Sequence, residues 1–256
     1  MKHFTIFQGF YYAIAEMTEE EIVSTIGSFT YREKVEEIRR IFAEQGEKAA
    51  NEKKKEWPAI AFSASYRGRR TKVNLVKYLG HIVIDIDHLS KEELARILPI
   101  IKRCDYTRIA FISPKGMGVK IIVRACHPDE TLPETLQEIE DFHHAAYTRL
   151  VSFYTELCQI EIDTSGQDVA RTCLFSYDPE IYFNPNADAF LVDQPQASYK
   201  VSNRKNLSGS KQQTPPDGPP TNEDTALNAH SANASLVLTL TYYHNKSEKY
   251  IAGNRN

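Results

Sequence analysis

HIVIDIDHLS, residues 81–90, sets Asp85 and Asp87 inside an otherwise apolar, β-branched run. Ile82, Val83, Ile84 and Ile86 read as a buried strand. Burying an unpaired carboxylate is costly, or shifts its pKa until the charge is lost. Something must therefore compensate these two. Alternate residues of a strand share a face, so Asp85 and Asp87 project together. Side-by-side carboxylates repel unless a cation lies between them, and Mg²⁺ or Mn²⁺ takes such oxygens together with substrate phosphates. The competing reading ends the strand at Ile84 and leaves DIDH as a solvated loop.

Working downstream, Ser90 is a good N-cap for a helix over 91–102. Strands over 108–112 and 119–123 flank the turn SPKGMG (113–118) as a hairpin. Backbone N–H groups in such a turn can hold phosphate oxygens, and Lys120 can add a point charge; a plain hairpin connection is the alternative. A long amphipathic helix is predicted over 133–157, with Leu136, Ile139, Phe142, Ala146, Leu150 and Phe153 on one face. The segment EID (161–163) leads into a loop and a strand over 172–176. Asp163 there is a candidate third carboxylate for two-metal phosphoryl transfer, and Asp168 competes for that role. HHAAY (143–147) has the residues of a histidine–tyrosine nuclease, but adjacent histidines on a helix cannot easily face one metal.

Upstream, residues 18–56 read as helical. Thr18 and Glu21 form a capping box, and Val35, Ile38, Ile41 and Phe42 fall on one face. Residues 47–56 read as a polar connection, Trp57 as a core anchor, and 58–63 as a strand. SYRGRRTKVNLVKY (65–78) is the densest basic stretch. Arg67, Arg69, Arg70 and Lys72 suit phosphates and Tyr66 suits base stacking, as a template strand needs; a solvated rim is the other reading. The order of elements predicts an α+β fold, a mainly antiparallel sheet with helices packed on one face.

The composition, 41% hydrophobic and 25% charged, is ordinary for a globular chain, and a net charge of −3 carries no whole-chain nucleic-acid signature. Four cysteines lie far apart, which argues against a zinc ribbon and for buried thiols. There is no signal-peptide pattern and no apolar run near the ~18 residues of a membrane span. A cytoplasmic chain without membrane contact is expected. Residues 1–193 are expected to form one domain with a helical part at 1–56. The Ser-, Asn- and Pro-rich stretch 194–234 reads as a disordered linker. Residues 235–256 read as the start of a following helical module or as a docked tail.

Taken together, IVIDID, SPKGMGVK and EIDTSGQDVAR resemble the archaeo-eukaryotic primase (primase-polymerase) superfamily. The wording SPKGMGVKIIV with DTSGQDVARTCLFSYDPEIYFNP resembles the VirE-type N-terminal domain of mobile-element primase-helicases, over roughly residues 55–190. The resemblance implies an RNA-recognition-motif-like sheet and a template-dependent nucleotidyltransferase. Asp85, Asp87 and Asp163 would be its catalytic carboxylates and the ligands of two Mg²⁺ or Mn²⁺ ions. Ser113, Lys115, Gly116, Gly118, Lys120 and Arg171 would meet the nucleotide phosphates. The implied partners are nucleoside triphosphates, a single-stranded DNA template, and a helicase module in cis or trans. One departure stands out: the superfamily's Ser-x-His element is here Gly118-Val119-Lys120, and lysine lacks the directed hydrogen bond of imidazole. A non-catalytic nucleic-acid-binding domain that tethers a helicase, and a metal-dependent nuclease, are the rival readings.

Overall fold

The β-branched run forms β6 (His81–Ile86), with Ile82, Ile84 and Ile86 fully buried on one face and Val83 and Asp85 on the other. This computed structural model describes residues 3–9, 11–55 and 57–193. The expected linker and terminal segment lie outside the described residues. After β6 come α4 (Lys91–Arg103), β7 (Ile109–Ile112), β8 (Val119–Cys126) and α5 (Leu136–Cys158). Ser90 is the N-cap of α4 as expected, and α5 begins at Leu136 rather than at 133. Ser90 with Glu93, and Thr135 with Glu138, close complete capping boxes at the starts of α4 and α5. Gln159, in the left-handed region, caps the end of α5.

β8 is the central strand of a mainly antiparallel sheet, paired with β6 on one side and β7 on the other. β10 (Tyr182–Phe183) extends that sheet beyond β7, and β11 (Phe190–Leu191) runs parallel to the end of β8. α5 lies against β6, with α4 beside it. The fold is α+β.

The N-terminal part differs from the expectation of an all-helical 1–56. It opens with a hairpin, β1 (His3–Gln8) and β2 (Tyr12–Thr18), before α1 (Glu19–Gly27), α2 (Arg32–Gln45) and α3 (Glu47–Lys54). Phe4, Thr5, Ile6 and Phe7 are all buried, so β1 shows no in–out alternation to betray it. The polar stretch after residue 46 is helical because Ala50 docks with Val35, Ile38 and Trp57.

β1 then pairs with β3 (Ala59–Ala61), and β3 with β9 (Cys173–Leu174), giving a second sheet in the order β2-β1-β3-β9. The Val83 face of the β6-β8-β7 sheet is covered as well. It shares a core with the second sheet and α1, built from Phe4, Ile6, Ile60, Val83, Phe111, Ile122 and Phe175 among others. Each such side chain contributes about 1.5–3 kcal/mol on burial. A bidentate ion pair adds a fixed point: Arg108 meets Glu19 of α1 at 2.6 and 2.5 Å. A separate ribbon, β4 (Ala64–Tyr66) and β5 (Leu75–Tyr78), carries the basic loop between its strands.

Candidate functional site

Asp85 lies on the face of β6 that looks toward the second sheet, and its side chain is only 10% exposed. It stands opposite Lys120 in the β6–β8 register, so the two side chains share that face. Lys120 Nζ is ion-paired to Asp85 Oδ2, and Arg171 Nη2 reaches the same oxygen at 3.3 Å. Burial works against the Lys120 charge, yet Asp85, Cys173 and Asp87 outweigh it and raise the lysine pKa. The carboxylate is thus compensated by two cations of the chain itself. Its other oxygen, Oδ1, is buried and has no hydrogen-bond partner.

Asp87 follows the last residue of β6 and is exposed. Gly118 packs onto it: a Cβ at Gly118 would stand 2.5 Å from the Ile86 carbonyl and 2.9 Å from Asp87 Oδ1. The absence of a side chain at Gly118 is therefore what lets the turn approach the acidic strand end. The turn's own donors are partly spent. Ser113 N–H donates to Gly118 O, and Gly116 N–H, at φ +77°, donates to Ser113 O. Gly116 and Gly118 shape the turn, and Ser113 Oγ is buried and without a partner.

A pocket of about 300 Å³ opens here, lined among others by Lys54, Asp87, Ser113, Lys115 and Lys120. Lys115 bonds Glu47 of α3 at 2.7 Å, which holds the Glu47 carboxyl below its usual range. No carboxylate among the described residues pairs with Lys54. Burial, then the neighbouring Lys115 and Lys120, pull its pKa down to about 8. Three ammonium groups meet this pocket together with the carboxylates of Glu47 and Asp87; Lys115 and Lys120 are held in ion pairs, and Lys54 is the cation left for a further anion. Lys54 escaped the sequence reading because it sits in a run of lysines, with only helical periodicity to hint that one of them turns inward.

Asp163 caps a short 3₁₀ turn, Thr164–Gly166, accepting from Ser165 N–H at 3.0 Å and Ser165 Oγ at 2.5 Å. These bonds, helped by Arg171, hold its pKa below the usual aspartate range. Tyr147 fixes the turn: its hydroxyl donates to Asp163 O and accepts from Gly166 N–H. Gly166 is required there, because a Cβ would fall 2.5 Å from that hydroxyl. Asp168, the competing third carboxylate, accepts from Ala170 N–H in the next loop. Arg171 lies between the Asp85 and Asp163 regions, but no group of three His, Cys, Asp or Glu side chains among the described residues stands close enough to hold a metal. Asp85 Oδ1, buried and without a partner, and Asp87, exposed just past the strand, are carboxylate groups that could hold a cation.

The basic ribbon divides. Tyr66, expected to stack on a template, is 4% exposed; it packs against Phe7 and donates its hydroxyl to Val169 O. It is a core residue, because the first strand of the ribbon lies over β1. Arg70 donates to Ala170 O at 2.6 Å, and Lys72 pairs with Glu140 at 2.7 Å. Arg67 and Arg69 are exposed. The histidine pair also splits: His143 is buried against the Tyr78 hydroxyl, with its pKa pushed down to about 4 by burial, while His144 is exposed. His81 is buried beside Glu19. All four cysteines are buried, and no helix among the described residues is long and apolar enough to cross a membrane.

Fold and site together define a two-sheet α+β domain with a charge-balanced acidic strand beside a lysine-lined pocket. The family model described as BT4734-like, N-terminal domain matches residues 52–183, more than half of the chain, and the chain belongs to that family. No curated protein and no solved structure matches it.

Proposed function

We propose that the chain is a primase-polymerase-type domain that joins nucleotides on a single-stranded template. The observation that carries this reading is the pocket: Lys54, Lys115 and Lys120 converge with the unpartnered Ser113 hydroxyl next to Asp85 and Asp87. A triphosphate needs several fixed cations and a hydroxyl donor, and both are present. The motif order IVIDID, SPKGMGVK, EIDTSGQDVAR supports the same class. Mg²⁺ or Mn²⁺ would be held by Asp85 Oδ1 and Asp87, and would supply charge neutralisation and activation of the 3′-hydroxyl; Asp163, bonded to Ser165, is not part of that pair. Lys120 and Arg171 fix the Asp85 carboxylate; Lys54 and Lys115 bind phosphate oxygens. A helicase module, in cis or trans, would deliver the strand.

A second reading has one observation in its favour. Lys120 already satisfies Asp85 Oδ2, as it would in a domain that binds nucleic acid without catalysis. Nucleotide incorporation on a primed single strand with Mn²⁺ decides between them, comparing the chain with Asp87→Asn. Metal-dependent extension that the exposed substitution removes supports transfer. No extension with strand binding intact supports the binding domain, and shortening of the oligonucleotide assigns a nuclease.

A further inference from the structure

The tip of the β1–β2 hairpin presents Tyr11 at 70% exposure and Tyr12 at 53%. It is joined to the basic loop of the β4–β5 ribbon. Ala13 N–H donates to Gly68 O at 2.8 Å, Arg70 N–H donates to Tyr11 O at 3.0 Å, and Arg69 Nη2 donates to the Tyr12 hydroxyl at 2.9 Å. Gly68 turns at φ +75° with open space where a side chain would stand, leaving Arg67 and Arg69 exposed on either side of it. Two exposed tyrosines and two exposed arginines therefore form one surface, drawn from segments more than fifty residues apart.

We infer that Tyr11 and Tyr12, with Arg67 and Arg69, form a binding surface for single-stranded nucleic acid. Tyrosine rings offer stacking platforms to unpaired bases, and the guanidinium groups meet the phosphates between them. A duplex keeps its base faces covered and offers only the charge half of this recognition. The surface also has a path to the site. The same ribbon is bonded to the backbone of Val169 and Ala170, and the next residue, Arg171, touches Asp85. The inference rests on the proposed reading, in which a strand must reach the Asp85 pocket. It adds the N-terminal hairpin, which lies outside the span matched by the family, as the part that stacks the strand.

The test is fluorescence anisotropy of the full chain with a labelled oligo-dT, and with a duplex of equal length, across a salt series. Tyr11→Ala/Tyr12→Ala should weaken strand binding about 10-fold or more with an unchanged salt slope. Tyr12→Phe should retain binding. Arg67→Ala/Arg69→Ala should weaken binding and flatten the slope by about 1.4, two phosphates' worth. All four side chains are exposed, and circular dichroism is the check that the variants fold. Wild-type affinity in the tyrosine double variant overturns the inference, as does equal affinity for duplex or the absence of strand binding. The assay contains neither nucleotide nor metal. Failure here leaves incorporation as a separate test of the pocket, and failed incorporation with strand binding intact rejects the pocket reading alone.

Discussion

Asp85 and Asp163 both end a short hydrophobic-Asp phrase, yet the molecule treats them in opposite ways. Asp85 is drawn between two sheets, where Lys120 and Arg171 must neutralise it. Asp163 stays on a solvent-facing turn, where Ser165 and Tyr147 order the local backbone. One carboxylate is held by tertiary charge, the other by its own turn. The lesson is that a motif position names a side chain and its neighbours decide how much depends on it.

The largest effect should come from breaking the Asp85 pair. Asp85→Asn leaves Lys120 buried without its counter-charge and should lower unfolding free energy in urea by about 3–5 kcal/mol. Removing both partners in Asp85→Asn/Lys120→Met should cost clearly less than the sum of the single changes, which a double-mutant cycle measures. The raised Lys120 pKa sets the pH window. The pair's contribution is full below the ordinary lysine value and disappears as pH climbs through the raised folded one. In Asp85→Asn that alkaline loss should begin at lower pH, and an unchanged alkaline limb would show the pair to be idle.

Next in size is the close approach at the turn. Gly118→Ala places a methyl against the Ile86 carbonyl and should destabilise by about 1–3 kcal/mol, seen as a fall in the thermal midpoint. A smaller, pH-dependent effect belongs to Lys54. With its pKa near 8, it is charged at neutral pH and loses its proton as pH rises toward 9. Binding of inorganic triphosphate, followed by calorimetry, should weaken over that interval. Lys54→Arg, whose charge persists, should flatten the dependence. The smallest effect on stability is expected at Asp163. Asp163→Asn should leave the unfolding midpoint nearly unchanged at neutral pH. Its lowered pKa means that any contribution is present above the ordinary aspartate range and lost as pH falls through the folded value. A large loss of stability there would erase the contrast with Asp85.

Much of the fold is legible along the chain. The β6 run, the capping box at Thr18, the N-cap at Ser90 and the face of α5 each follow from local pattern, and each stands where that pattern puts it. β1 was hidden because a strand buried on both faces has no alternation. Tyr66 was misread for a related reason: a tyrosine beside arginines has the same letters whether it faces solvent or lies over β1. For Lys54 and Tyr147 the sequence pattern did not give the role, since it comes from the elements they meet in space.

The sequence by itself determined the local elements from β6 to α5, the adjacency of Asp85 and Asp87, and the basic character of residues 65–78, because strand and helix periods and caps are short-range. Only the tertiary structure decided that Asp85 faces a second sheet, that Lys120 and Arg171 meet one of its oxygens, and that three lysines from separate elements line one pocket. Such compensation depends on distance in space, and for a buried charge that distance is set by packing between sheets rather than by separation along the chain.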